Sequence, residues 1–275
     1  MRSARPESIG RLRDAAWIAV FAAIAASWAG LAWLCLDSAL PPAPASQALG
    51  WFDGTSQGAI WRSLCSATMA AAGWPLVAAM WLLMVFAMML PAVLPMICTF
   101  IELTARQPGG ALGQGLGEFV LGYLVVWSGF ALATTGLQWH LAGLDLVAAD
   151  GLSRSWPLTA LLLALAGAYQ FTSLKAACLD ECHAPMTYFL GHWRAGRLGA
   201  LAMGLRHGLT CVGCCWALML LAFVGGMMNL AWMSLAMALM LLEKLPAAGR
   251  YVSKPLGTVL AAGAVLVTAT NLGWQ

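Results

Sequence analysis

The feature that most constrains this chain is a series of long segments that contain no charged side chain. Six of these segments have 20 or more residues, and a helix needs about 20 apolar residues to cross the hydrocarbon core of a bilayer. Charged residues make up 9% of the chain, whereas a soluble domain carries roughly 25%. We therefore predict an integral membrane protein in contact with the lipid bilayer. The net charge of +3 gives no indication of a nucleic-acid partner.

Two of the uncharged segments are too long for one membrane span. In residues 63–101, Gly73-Trp74-Pro75 favours a helix start near residue 74, because proline suits the first turn of a helix. A continuous helix over 208–242 would be about 50 Å long, so Gly225-Gly226 near its centre indicates a turn between two shorter helices. The predicted fold class is an all-α, polytopic bundle of about seven transmembrane helices, near residues 15–36, 75–100, 118–139, 157–176, 207–225, 228–245 and 255–273.

The distribution of Lys and Arg predicts the orientation of the bundle. With a cytoplasmic N-terminus, 12 of the 14 basic residues lie inside, and Arg62 and Arg154 lie outside. Cytoplasmic loops carry the excess of positive charge in membrane proteins, so we expect the N-terminus inside and the C-terminus outside. The chain is then a single integral membrane domain over 1–275, with an external loop at 37–73 and a cytoplasmic loop at 177–206.

Cysteine and histidine are concentrated in one part of the chain. Residues 175–244 contain five of the eight cysteines and three of the four histidines. In a reducing compartment, clustered cysteines favour metal binding or redox exchange over structural disulfides. The candidate metal ligands are Cys178, Cys182, His207, Cys211, Cys214 and Cys215.

Helical spacing predicts how these side chains meet. His207, Cys211 and Cys215 recur every four residues and share one face of the fifth predicted span. Cys178 and Cys182 are also four residues apart, at the cytoplasmic end of the fourth span. The two sets could therefore approach each other at the same membrane face. The alternative interpretation is that buried cysteines pack as small apolar side chains.

The donor types indicate which metal to expect. Thiolates and thioethers are soft ligands that suit Cu(I) or Zn(II), and imidazole suits both. The 15 methionines, including the stripe Met80, Met84 and Met88, add weight to copper, although such stripes also serve packing. Copper is therefore preferred over zinc, for which a closed set of four ligands would be required.

Several other residues have narrower interpretations. Cys35 and Cys65 lie toward the outside, where a disulfide between them is possible if that compartment is oxidising. Glu243-Lys244 is expected at the cytoplasmic boundary in a structural role, with its charges reaching the interface. Asn229 is expected to cap the sixth predicted helix.

Two motifs resemble those of a known family. They read T-S-L-K-x2-C-L-x2-C-H-x-P from Thr172 and G-x2-H-G-x2-C-x-G-C-C-W-x-L-M from Gly204, with A-M-M-L-P from Ala87 and G-M-M-N-x2-W-M from Gly226 beside them. These motifs are similar to the signature of a bacterial family of predicted metal-binding integral membrane proteins of unknown function. The resemblance covers residues 75–245, and it implies membership and a metal site without an assigned reaction.

The leading hypothesis is a multi-pass protein of the bacterial inner membrane that handles a soft metal through this cluster. Its role would be delivery, assembly of another protein's metal centre, or transport, with another membrane protein or a metallochaperone as partner. One alternative is a membrane redox enzyme that uses vicinal thiols or a metal. Another is a subunit or assembly factor of a larger membrane complex. The sequence contains no phosphate-binding loop and no dinucleotide fingerprint.

Overall fold

The computed structural model describes residues 6–36, 73–106, 115–148, 151–227, 229–246 and 249–273. Within these ranges the regular structure is entirely helical, with one isolated β-bridge between Val147 and Ser153. The all-α prediction is therefore confirmed for this part of the chain. The helices are α1 (Pro6–Leu36), α2 (Trp74–Arg106), α3 (Leu116–Gly143), α4 (Trp156–Tyr169), α5 (Ser173–His183), α6 (Pro185–His192), α7 (Gly196–Met219), α8 (Ala222–Gly225), α9 (Leu230–Lys244) and α10 (Gly249–Leu272).

Several of these helices are long and apolar enough to cross a membrane, which is compatible with a membrane protein. Five candidate spans lie in the described residues, and a sixth results if the bent pair α4–α5 forms one span. The sixth predicted span, 228–245, corresponds to α9, which has 15 residues and is not among the candidate spans of the described residues. The orientation of the termini stays a prediction. The five spans are Arg13–Leu31, Trp74–Ala105, Leu116–Gly143, Gly196–Gly225 and Tyr251–Leu272.

The predicted turn after α7 and α8 is confirmed. Gly226 has a φ of 79°, a backbone conformation that glycine adopts without steric cost. Asn229 then caps α9, because its side-chain oxygen accepts a hydrogen bond of 3.1 Å from the backbone N–H of Trp232. The expected start of α2 at Trp74 is also confirmed.

The fourth predicted span, 157–176, is bent rather than straight. The axes of α4 and α5 differ by 62° across a break at residues 170–172. Thr172 starts α5 by accepting a hydrogen bond of 3.3 Å from the N–H of Lys175. The stretch 177–206, expected as a loop, is mostly helical, since it holds the end of α5, all of α6 and the first turns of α7.

The core of the bundle forms where α3 packs along α7. The two helices approach closely at glycines: a Cβ on Gly204 would overlap the carbonyl of Phe119, and one on Gly122 would overlap the backbone near Leu201. Small residues allow this approach of helix backbones. Around this contact, α2 lies against both α1 and α3, and α5 lies against α7.

The methionine stripe belongs to the hydrophobic core. Met80, Met84 and Met88 on α2 are buried with Trp81 and Val85. This position supports the packing interpretation of the stripe. Cys65 and the side chain of Cys35 lie outside the described residues, so the possible disulfide between them stays a prediction.

Candidate metal centre

Four cysteine side chains converge between α5 and α7. The thiol of Cys182, on the last turn of α5, interacts with the thiols of Cys211 and Cys214 on α7. The sulfur atoms of Cys214 and Cys215 are 3.3 Å apart, and the Cys214 thiol donates to the carbonyl oxygen of Cys211 at 3.1 Å. We refer to Cys182, Cys211, Cys214 and Cys215 as the thiol cluster. The cysteines of the cluster are free thiols in this structure.

The order of residues on α7 explains why three thiols share one place. Cys211 and Cys215 are one helical turn apart, and Cys214 is three residues from Cys211, so all three project from neighbouring positions. The three cysteines are buried against the rest of the bundle. We predicted that cysteines of the fourth span approach those of the fifth. In the structure, Cys182 is the residue that does so.

Cys211 has a cationic neighbour that the sequence interpretation missed. The ammonium of Lys244, at the end of α9, donates a hydrogen bond of 2.9 Å to the sulfur of Cys211. The hydroxyl of Tyr123 lies 3.3 Å from the same sulfur and donates to the carbonyl of Met89 at 2.9 Å. A positive charge this close stabilises the negative charge of a metal-binding thiolate.

An ion pair is buried next to the thiol cluster. The ammonium of Lys175 lies 2.9 Å and 2.8 Å from the two carboxylate oxygens of Glu243, and the two residues are 1% and 2% exposed. His183 Nε2 donates to the backbone carbonyl of Glu243 at 2.8 Å. The charge of Glu243 is therefore balanced inside the protein, where Lys175 of α5 pairs with both carboxylate oxygens, and the position of Glu243 relative to the membrane boundary stays a prediction.

His207 is a buried imidazole without a hydrogen-bond partner among the described residues. It is 2% exposed, and both ring nitrogens lack a partner. Its ring stacks against Tyr123 at 5.6 Å and Phe119 at 6.2 Å, and meets Tyr188 edge-on at 5.6 Å. Through Tyr123, the imidazole lies beside the thiol cluster. A buried polar group left unpaired costs about 1–3 kcal/mol of stability. His207 is therefore a candidate for a functional role.

The remaining described cysteines lie outside the cluster. The thiol–thiol contacts found among the described residues do not include Cys178. Its sulfur packs against α7, 2.8 Å from where a Cβ of Gly213 would lie. Cys98 on α2 instead interacts with Trp17 of α1. The structure therefore brings Cys182 to the α7 cysteines, with Cys178 one turn away.

The comparison with known families identifies the relatives of this chain. The sequence profile of a family described as "PpoB2: Copper chaperone" matches residues 78–267. The chain belongs to the PpoB2 copper chaperone family. The match runs from α2 into α10 and contains all four cysteines of the thiol cluster. No curated protein and no solved structure matches the chain significantly.

Membership in the PpoB2 family points to copper handling. The side chains of the candidate site can therefore be compared with the ligands that copper requires. Among the described residues, no group of three or more His, Cys, Asp or Glu side chains is arranged to hold a metal ion. A structural zinc site requires four such ligands. Cu(I) prefers soft thiolates and is satisfied by as few as two. The paired thiols of the cluster fit Cu(I) in their chemistry.

The candidate site in this member of the PpoB2 family includes residues that local sequence patterns did not identify. Tyr123 of α3 and Lys244 of α9 contact Cys211, and Lys175 of α5 pairs with Glu243, the residue before Lys244. The positions of the two lysines in the sequence could have indicated a role for them. An ionisable residue at the edge of an apolar segment is a functional candidate by default. Tyr123 carries no such signal, and its role depends on the close packing of α3 on α7.

Proposed function

We propose that this protein is an integral membrane copper chaperone whose thiol cluster binds Cu(I) as cargo and releases it to another protein. The observation that carries the proposal is the convergence of buried thiols: the sulfur atoms of Cys214 and Cys215 are 3.3 Å apart beside Cys211, and Cys182 of α5 interacts with Cys211 and Cys214. Membership in the copper chaperone family supports the identity of the cargo. Sulfur ligands hold the reduced ion, so the cargo enters and leaves as Cu(I) without a change of oxidation state.

The surplus of thiols supports release as well as binding. Two thiolates bind Cu(I), which leaves two of the four cluster cysteines free to replace them one at a time. An incoming thiolate of an acceptor can enter the same sequence of exchanges. Each step forms one Cu–S bond and breaks another, so no sulfur is oxidised. The acceptor in this proposal is another membrane protein or a metallochaperone.

Two further candidate ligands extend the thiol cluster. His207 is one turn before Cys211 on α7, and its unpaired nitrogens are available to a metal. Cys178 is one turn before Cys182 and is partly exposed, which suits a residue at the entrance to the site. We include both in the proposed donor set as residues that support the thiol cluster.

The location follows from the apolar helices and the basic residues around the site. Arg197 and Arg206 on α7 are exposed and pair with Glu118 and Glu181. They precede the cluster along the helix, and an excess of positive charge favours the cytoplasmic side. We therefore propose a multi-pass protein of the bacterial inner membrane with the thiol cluster toward the cytoplasmic leaflet.

The experiment is an anaerobic Cu(I) competition titration of the detergent-purified protein against a chromophoric Cu(I) chelator. We expect one tightly bound Cu(I) per chain in the wild type. Binding should be lost when all four cluster cysteines are replaced by serine. The matched control is Cys98→Ser, which removes a thiol outside the cluster and should bind like the wild type. Equal Cu(I) binding by the fourfold variant would refute the proposal.

A further inference from the structure

We propose that Lys244 is the counter-cation of the metal complex, so that the site holds Cu(I) with two thiolates as a centre of zero net charge. The inference rests on the proposed function, because it assumes that Cys211 is a ligand. It adds a residue that favours Cu(I) bound by two thiolates over Zn(II) bound by four. That residue acts through its charge and makes no bond to the metal.

The geometry places one cationic group at the sulfur of Cys211. Lys244 Nζ is 2.9 Å from this sulfur and donates to it. Cys211 itself is buried, so bulk water is not available to stabilise an ionised sulfur. A charge in such a setting must be paired or it becomes costly.

Two ion pairs lie on the helices around the site. Lys175 and Glu243 neutralise each other at 2.8 Å, and Arg206 lies 3.6 Å from Glu181. None of the ion pairs found among the described residues includes Lys244. The carboxylates of Glu243 and Glu181 are thus paired with other cations, and Lys244 is the cation at the sulfur of Cys211.

The charge balance distinguishes the possible cargoes. Two thiolates and Cu(I) sum to a net charge of −1, which the ammonium of Lys244 brings to zero. Four thiolates and Zn(II) sum to −2, which leaves a charge of −1 in a buried site after the same correction. Because burying an uncompensated charge is strongly unfavourable, Lys244 favours Cu(I) bound by two thiolates over Zn(II) bound by four. Ag(I) meets the same condition.

The buried ion pair holds Lys244 in position. The carboxylate of Glu243 binds Lys175, and its carbonyl accepts from His183, so α5 contacts this residue twice. Glu243 directly precedes Lys244 on the last turn of α9. Helix α5 also carries Cys182, so one helix supplies a thiol and fixes the counter-cation. Lys175 and Glu243 are positioning residues in this arrangement.

The test compares Lys244→Met, Lys244→Gln and Lys244→Arg with the wild type in Cu(I) and Zn(II) competition titrations. We expect Lys244→Met and Lys244→Gln to weaken Cu(I) binding by about 10–100-fold, the usual effect of removing a residue that supports metal ligands. Lys244→Arg keeps the charge and should recover most of the affinity. The matched control is Lys254→Met, an exposed lysine on α10, which should not change binding.

The ratio of Cu(I) to Zn(II) affinity separates a charge effect from a structural one. We expect this ratio to fall in both neutral variants and to be preserved in Lys244→Arg. Lys244→Gln retains a hydrogen-bond donor, and it replaces Lys244→Met in the comparison if the methionine variant does not fold. An unchanged ratio and affinity in the neutral variants overturns the inference while leaving the proposed function intact. Failure of the wild type to bind Cu(I) overturns both.

Discussion

The ammonium of Lys244 lies 2.9 Å from the sulfur of Cys211. This hydrogen bond joins the last turn of α9 to the cysteine-bearing face of α7. The two residues are 33 positions apart in the chain, and the turn at Gly226 reverses the chain between them. A buried thiol with a cation as its neighbour has the chemistry of a metal-binding thiolate.

Replacing Cys182 should have a larger effect on copper binding than replacing Cys178. Cys182 interacts with the thiols of Cys211 and Cys214, whereas Cys178 packs against Gly213. We expect Cys182→Ser to weaken Cu(I) binding by about 100-fold, since even residues that only support metal ligands account for 10–100-fold. Competition titrations of the two serine variants measure the difference. A larger loss with Cys178→Ser would place the metal outside the thiol cluster.

Breaking the buried ion pair should destabilise the fold. Lys175→Met leaves the carboxylate of Glu243 buried without its cation, which costs about 3–5 kcal/mol. The double variant Lys175→Met/Glu243→Leu removes both charges and should regain most of this stability, because an apolar pair of similar size packs well. Thermal unfolding in detergent gives the comparison. If the double variant is as unstable as the single one, the ion pair does not account for the loss.

Replacing His207 by phenylalanine should weaken copper binding without lowering the stability of the fold. Both nitrogens of this imidazole are buried and have no hydrogen-bond partner in the described part of the chain, and aromatic rings pack around it. We expect His207→Phe to keep or raise the unfolding temperature, since each unpaired polar group costs about 1–3 kcal/mol. Cu(I) binding should weaken at the same time. A variant that is both less stable and unchanged in Cu(I) affinity would indicate a packing role alone.

Adding one methyl group at the contact between α3 and α7 should destabilise the fold. A Cβ on Gly204 would overlap the carbonyl of Phe119, so Gly204→Ala should separate the helices and move Tyr123 from Cys211. We expect a loss of about 1–3 kcal/mol, as for overpacked cores. Gly129 on α3 is the control, because a Cβ there meets no atom of the described residues within 4 Å. Gly129→Ala should be neutral or stabilising by up to about 1 kcal/mol.

Local sequence patterns predicted the parts of the fold that depend on neighbouring residues. The start of α2 at Trp74, the turn at Gly226 and the cap at Asn229 follow from proline, glycine and asparagine chemistry. The shared face of His207, Cys211 and Cys215 follows from helical spacing, and all three side chains are buried. These features need no information from distant parts of the chain.

The remaining features depend on contacts between residues far apart in sequence. Tyr123 meets Cys211 across 88 residues, and Lys175 meets Glu243 across 68 residues. Neither distance can be read from periodicity, because both depend on how the helices pack. The bend between α4 and α5 was also missed, since residues 170–172 contain neither glycine nor proline. Helix propensity alone did not distinguish that break from a continuous span.

The most direct test of the central claim is X-ray absorption at the copper edge of the Cu(I)-loaded protein. The wild type should show Cu(I) with sulfur neighbours, and the Cys98→Ser control should give the same spectrum. The variant with serine at Cys182, Cys211, Cys214 and Cys215 should lose the sulfur signal together with the copper. Copper bound through nitrogen or oxygen alone in the wild type would contradict the assignment of the thiol cluster as the copper site.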